Sequence, residues 1–282
     1  MPETLTLQSP AKLNLMLHIT SQRADGYHNL QTAFQFISLY DELSFQVTKD
    51  GLISRNGDNQ GIPQQDDLII RAARLLQNHT QTKLGAKITI RKKIPMGGGL
   101  GGGSSNAATT LLALNYLWKT GQNQRQLQQL GLKLGADVPI FIYGQSAWAE
   151  GVGDQLSPLK LPENWFFVLH PQVFVSTKQI FSSKHLTRDS HPIKIRAFLE
   201  GDGRNVCEPV ACELYPEIQT AIDWLGKFSP ARMTGTGACI FAAFDSFEKA
   251  NAVQSLLPEN WTGYVVKGMN QNPVTEACLN TD

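Results

Sequence analysis

Pro95-Met96-Gly97-Gly98-Gly99-Leu100-Gly101-Gly102-Gly103-Ser104-Ser105-Asn106 is the stretch whose reading decides the fold. Six glycines in seven positions carry a heavy backbone-entropy cost. Something must therefore lie against bare main chain, closer than a Cβ would allow. Upstream, Ala86, Ile88 and Ile90 alternate with polar neighbours and predict a strand. Downstream, Ala107, Leu111, Leu114 and Trp118 fall at helical spacing, with Gly121 as the stop. Strand, loop and helix N-terminus aim N–H groups and a positive dipole end at one point, which makes an anion site suited to phosphate. A Walker A loop needs a lysine after its last glycine, whereas Ser104 follows Gly103. A dinucleotide fingerprint can be drawn through Gly97, Gly99 and Gly102. It also needs an acidic partner about 20 residues on, and no Asp or Glu lies between Asn106 and Ala136.

Working outward, 282 residues can bury a large core and divide into two lobes. A hydrophobic fraction of 41% and a charged fraction of 17% describe an ordinary soluble protein. The net charge of +1 offers no polybasic surface, so neither nucleic acid nor membrane is an expected partner. Arg91-Lys92-Lys93, the densest basic cluster, lends either a local positive field to the loop or a solvated strand end. Cys207, Cys212, Cys239 and Cys278 form no Cys-x2-Cys pair, and no leader or long apolar run is present. Reduced thiols and a cytoplasmic location are expected.

Leu5 and Leu7, then Leu13, Leu15, Leu17 and Ile19, then Leu43, Phe45 and Val47 alternate as strands. Asp66 and Asp67 can cap a helix through Leu68, Ala72, Leu75 and Leu76, and a further helix near Leu127–Leu134 closes at Gly135. The Gly- and Pro-rich segment Gly151–Pro162 marks a boundary, which gives domains 1–155 and 156–282. Beyond it, Phe166–Leu169 and Ile240–Phe244 read as strands, Ile218–Leu225 and Phe247–Leu257 as helices, and Val265-Val266 as the closing strand. The mixture predicts an α+β fold with mainly antiparallel sheets.

Four smaller clusters are ambiguous when each is read alone. In Ser9-Pro10-Ala11-Lys12-Leu13-Asn14-Leu15, alternation puts Lys12 and Asn14 opposite Leu13, Leu15 and Leu17, as a solvated face or a site. Asp25-Gly26-Tyr27-His28 is a decorated turn or a stacking face beside an imidazole. In Gly135-Ala136-Asp137-Val138-Pro139, Asp137 suits a helix N-cap as well as a chemical role. Thr234-Gly235-Thr236-Gly237-Ala238 is a second glycine turn, able to let main chain approach a ligand from the other lobe.

In this order, and with Glu150-Gly151-Val152-Gly153 among them, the motifs together resemble the GHMP kinase superfamily over about Ser9 to Ala238. Asp-Gly-Tyr-His and Gly-Ala-Asp-Val-Pro are similar to the branch that serves the non-mevalonate isoprenoid pathway. That resemblance implies a two-lobed fold, with the active site in the cleft between the lobes. It implies a kinase that moves the ATP γ-phosphate onto a hydroxyl of a cytidine diphosphate sugar-alcohol, with Mg²⁺ carried on the nucleotide rather than in a protein cage. Matching positions give Asp137 as general base and Lys12 as its partner. Pro95, Met96, Gly97, Gly98, Gly99, Leu100, Gly101, Gly102, Gly103, Ser104 and Ser105 are expected on ATP. Asn14, Tyr27, His28, Thr177 and Phe181 are expected on the acceptor. Two departures stand out: Lys178 replaces a frequent proline, and Asp67 replaces a frequent asparagine, which leaves capping as the role of Asp67. Another GHMP small-molecule kinase, such as homoserine kinase, and a silent nucleotide-binding module remain open at this point. A monomer or a homodimer fits equally.

Overall fold

Two long antiparallel strands, β1 (Leu5–Gln22) and β2 (His28–Thr48), form the spine of the computed structural model, which describes residues 4–58 and 61–279. β1 joins two of the expected strands into one and carries register shifts at Pro10/Ala11, Asn14/Met16 and Ile19/Ser21. These bulges break the simple alternation. Leu13 packs with Ile94, Leu100 and Phe166, whereas Leu17 packs with Phe167 and Val206. β1 thus feeds two cores, and Lys12 is no solvated strand residue but is 2% exposed.

β4 (Gly85–Arg91) pairs with β2 and carries β3 (Ile53–Gly57) on its far side, and β5 (Ala147–Glu150), paired with β6 (Gln155–Pro158), joins β2 elsewhere. That hairpin spans the expected 155/156 boundary. Helices α1 (Leu68–Thr80) and α2 (Gly102–Trp118) bury their apolar faces against these strands, and α3 (Gln124–Leu132) and α4 (Val138–Tyr143) pack together onto α2 in the same core. α2 starts inside the glycine run rather than after it. It stops at Trp118, where Lys119 adopts φ 52° and its N–H caps the Asn115 and Tyr116 carbonyls, before Gly121 is reached.

The remaining elements are β7 (Trp165–His170), α5 (Thr177–Ser182), α6 (Ile195–Leu199), α7 (Glu208–Leu214), α8 (Pro216–Leu225), β8 (Ala231–Met233), β9 (Ile240–Phe244), α9 (Phe247–Gln254), β10 (Thr262–Met269) and α10 (Pro273–Leu279). The main path of the sheet runs β3-β4-β2-β10-β7-β9-β8, antiparallel except where β3 meets β4. Val265 and Val266 do not close an edge. They pair with Phe167 and Phe166, while Gly268 and Met269 pair with Ile37 and Phe36. β10 therefore fastens the two halves at mid-sheet, and α10 returns Val274 and Cys278 to the first core. Among the described residues, no helix is long and apolar enough to cross a membrane.

Candidate active site

The phosphate loop is clasped by the second glycine turn. Gly97 and Gly98 carbonyls accept from the N–H groups of Ala238 and Cys239, at 3.0 and 3.1 Å. A Cβ on Gly99 would stand 2.2 Å from the Thr234 carbonyl, and one on Gly98 would stand 2.7 Å from Cys239 Sγ. Part of the glycine density is thus required by protein, not by ligand. Asn205 in turn donates to the Met233 and Gly235 carbonyls, at 2.9 and 2.8 Å, and steadies the second turn.

Past the clasp, the loop opens to the cleft. Gly101 is the N-cap of α2, at φ 72°, and supplies no capping side chain. The first-turn amides of α2 are left for a ligand, with the positive end of the helix dipole behind them. Ser104 lines the same cleft. Ser105, expected beside it on ATP, is turned into the core. Its Oγ lies 2.7 Å from Ser9 Oγ, and its N–H donates to the Gly101 carbonyl. A start at Gly102 puts Ser104 and Ser105 on different faces of the helix.

Lys12 ties the loop to Asp137. Its ammonium lies 3.1 Å from Asp137 Oδ2 and donates to the Gly99 carbonyl at 3.0 Å and to Asn14 Oδ1. Its backbone N–H donates to the Leu100 carbonyl at 3.0 Å. All three ammonium protons are engaged, so Lys12 acts as a fixed charge and a tether. Asn14 Nδ2 continues the chain to Thr32 Oγ1 at 2.9 Å. Asp137 sits at the N-cap position of α4 yet makes no side-chain capping bond, and its side chain is 37% exposed. The capping reading fails, and the carboxylate is left to face the cleft. Asp67, by contrast, does cap. Its Oδ1 accepts from Ile69 and Ile70 N–H, and its Oδ2 pairs with Arg55 Nε at 3.1 Å.

A second lysine, Lys92 of the basic Arg91-Lys92-Lys93 cluster, stands at the opening of α2. A Cβ on Gly102 would lie 3.4 Å from Lys92 Nζ. Lys92 pairs with Asp41, whose fully buried carboxylate also accepts from Lys93 N–H (2.8 Å), Ile94 N–H (2.9 Å) and Asn106 Nδ2 (2.9 Å).

Across a cavity of about 580 Å³, Thr177 and Phe181 of α5 face the loop. Thr177 Oγ1 lies 3.0 Å from Thr236 Oγ1 of the second glycine turn. The His28 ring packs 5.3 Å from that of Phe181, and burial, aided by the Arg188 charge, holds its pKa below 6.5. Tyr27 is 64% exposed, and neither it nor His28 is part of the cavity lining; His28 borders the cavity through its contact with Phe181.

The nucleotide-shaped loop, a carboxylate with a buried lysine and an aromatic recess thus share one cleft. The GHMP kinases N-terminal model matches residues 67–145, and the GHMP kinases C-terminal model matches 186–263. The chain is 57% identical to the 4-diphosphocytidyl-2-C-methyl-D-erythritol kinase of Nitrosococcus oceani, covering 96% of both chains. It is 55% identical to that of Pseudomonas entomophila, covering 95% of this chain and 94% of the relative. A crystal structure of 4-(cytidine 5'-diphospho)-2C-methyl-D-erythritol kinase superposes with a TM-score of 0.82 at 31% identity, covering 94% of this chain and 99% of that one. The chain belongs to the 4-diphosphocytidyl-2-C-methyl-D-erythritol kinases of the GHMP superfamily. A homoserine kinase from Cytophaga hutchinsonii, at TM-score 0.66 and 16% identity over 96% of each chain, shares the fold alone.

In this GHMP kinase, sequence reading missed Asp41, Asn205 and Arg188. Each works through tertiary partners far away in the chain. An acidic residue inside the apolar strand β2 was the available signal for Asp41.

Proposed function

We propose that Asp137 accepts the proton of the acceptor hydroxyl while the α2 N-terminus and Lys92 hold the phosphates of ATP. The chain is an ATP-dependent kinase, and its acceptor is the 2-hydroxyl of 4-diphosphocytidyl-2-C-methyl-D-erythritol, in isoprenoid precursor synthesis. One observation carries the assignment of roles: Lys12 bonds the loop carbonyl of Gly99 and the carboxylate of Asp137 at once. A single buried side chain thereby sets the spacing between the phosphate cradle and the base.

Phosphoryl transfer asks mainly for alignment and charge stabilisation. An ordinary carboxylate is a weak base toward a ground-state alcohol. Held in line, Asp137 orients the hydroxyl and takes its proton late, once the nucleophile has begun to bond phosphorus. The Lys12 ammonium, 3.1 Å from Oδ2, holds the Asp137 carboxylate in place and adds positive field near the moving phosphoryl group. The Ser104 hydroxyl is a hard oxygen donor that suits Mg²⁺ riding on the nucleotide, and such an ion would neutralise phosphate charge when bound.

On the acceptor side, Phe181 and Tyr27 supply ring faces for cytosine, and His28 supplies a polar group for its edge. Thr177 and Asn14 line the same cleft. The exposure of Tyr27 fits a ring that closes over a bound base. The chain works in the cytoplasm on two small molecules, a setting that its four free cysteines suit. A coupled assay of ADP release tests the reading. Turnover is expected with the cytidine diphosphate acceptor and not with homoserine; the reverse result would sink it.

A further inference from the structure

Arg188 and His28 meet across 160 residues of chain. Arg188 Nε donates to His28 Nε2 at 3.3 Å. The same guanidinium donates to the Leu186 carbonyl at 3.1 Å and to the Phe181 and Ser183 carbonyls at 2.8 Å each. Guanidinium has only donors and keeps its protons, so His28 Nε2 must present a lone pair. In a neutral imidazole the proton then resides on Nδ1. Burial and the neighbouring positive charge both favour that neutral form. Among the described residues, no hydrogen-bond partner meets Nδ1.

We propose that Arg188 determines base specificity: by fixing His28 as the Nδ1–H tautomer, it makes the acceptor site select cytosine over uracil. The inference rests on the reading of the site as a cytidine subsite. Cytosine carries a lone pair on N3, whereas uracil carries a proton there. A fixed N–H donor pairs with the first and confronts the second, donor to donor. An imidazole without Arg188 exchanges its proton between nitrogens and can meet either base. Selectivity thus resides in the neighbour that removes the choice. The bond to the Phe181 carbonyl gives the same guanidinium a hold on the ring that packs 5.3 Å from His28.

Arg188→Met keeps side-chain length and removes the donors. The test compares kcat/KM for the cytidine diphosphate acceptor with that for its uridine counterpart. The cytidine-to-uridine ratio is expected to fall roughly 10- to 100-fold, the size of one unpaired buried donor. The change is expected in acceptor KM, with ATP KM unmoved. A general loosening of the fold would lower both substrates alike and leave the ratio intact, which overturns the inference. Should Arg188→Met fail to fold, ¹⁵N spectra of histidine-labelled wild-type protein decide, with His28 assigned by its loss in His28→Gln. Protonated Nδ1 with bare Nε2 supports the inference, and protonated Nε2 overturns it. A wild-type protein inactive on both acceptors overturns the functional reading and this inference together. A wild type active on the cytidine acceptor, with an unchanged ratio in the variant, overturns this inference alone.

Discussion

Two lysine–aspartate pairs flank the phosphate loop, and they are built in opposite senses. In Lys12–Asp137 the lysine side chain is 2% exposed and the carboxylate 37% exposed; in Lys92–Asp41 the carboxylate is 0% exposed and the lysine 10% exposed. In each pair the deeper member is held by several protein groups and the shallower one reaches the cleft. The first pair presents a carboxylate where an alcohol must lose its proton. The second presents an ammonium where phosphates must be held. The same two residue types therefore do different work according to which of them the fold buries.

The sharpest break in that contrast comes from Asp137→Asn. The variant keeps the shape and loses the proton acceptor, so kcat is expected to fall about 10²–10⁴-fold, the usual contribution of a positioned base. ATP KM stays near the wild-type value, because the α2 N-terminus and Lys92 are untouched. Near-normal turnover in the ADP-release assay would remove Asp137 from the chemistry.

Lys12→Met tests whether the first pair also carries the loop. It leaves the Gly99 carbonyl and Asn14 Oδ1 without their donor, and each buried orphan costs about 1–3 kcal/mol. We expect kcat to drop about 10²-fold and ATP KM to rise as well, since the tether to Gly99 is gone. A pure kcat effect, identical in form to that of Asp137→Asn, would show that Lys12 serves the base only.

Asp41→Asn addresses the second pair. Its carboxylate accepts from Lys92, two backbone N–H groups and Asn106. Losing the charge strands the lysine against a neutral amide, and breaking such a buried pair costs about 3–5 kcal/mol. Tm and ATP KM are the expected casualties, while kcat at saturating ATP stays within a few-fold. A loss confined to acceptor KM would collapse the division of labour between the pairs.

How far the sequence could reach follows from where each role is encoded. Gly97–Gly103 announces itself because backbone permissiveness is written in local composition. Even there, half the cause was hidden: Gly98 and Gly99 are bare to admit Thr234 and Cys239, which no local reading supplies. The strands at Ala86–Ile90 and Ile240–Phe244 were legible from alternation and apolar runs. The central place of β10 was not, because strand order is set by long-range pairing. Ser104 and Ser105 are indistinguishable as letters. Helix phase separates them, and the phase depends on a start at Gly102 rather than Ala107. Lys12 and Asp137 each read more simply as surface or cap. A bulge and a missing capping bond, both tertiary facts, put them together. Asp41, Asn205 and Arg188 position other groups, and such a role exists only once the partner is in place.

The smallest effect expected is a pH dependence that separates the two sides of the cleft. His28 has its pKa drawn below 6.5 first by burial and second by the Arg188 charge. The neutral ring is therefore favoured at pH 7, and protonation is pushed to lower pH than for a free imidazole. Acceptor KM should be flat from about pH 8 to 6.5 and rise only below the lowered pKa, as protonation takes the Nε2 lone pair from Arg188 and sets two cations face to face. The stability sign agrees: a histidine depressed in the fold contributes stability above its unfolded pKa and loses it as pH falls through the folded one. His18 and His170, also depressed chiefly by burial, add to that acid sensitivity without facing the acceptor. His28→Gln removes the titrating group on the acceptor side alone, so it should flatten the acid limb of acceptor KM and leave the fall in Tm largely in place. If acceptor KM in wild-type protein already climbs between pH 7.5 and 6.5, or if ATP KM climbs with it, His28 is not the titrating group and the acceptor side has no pH signature of its own.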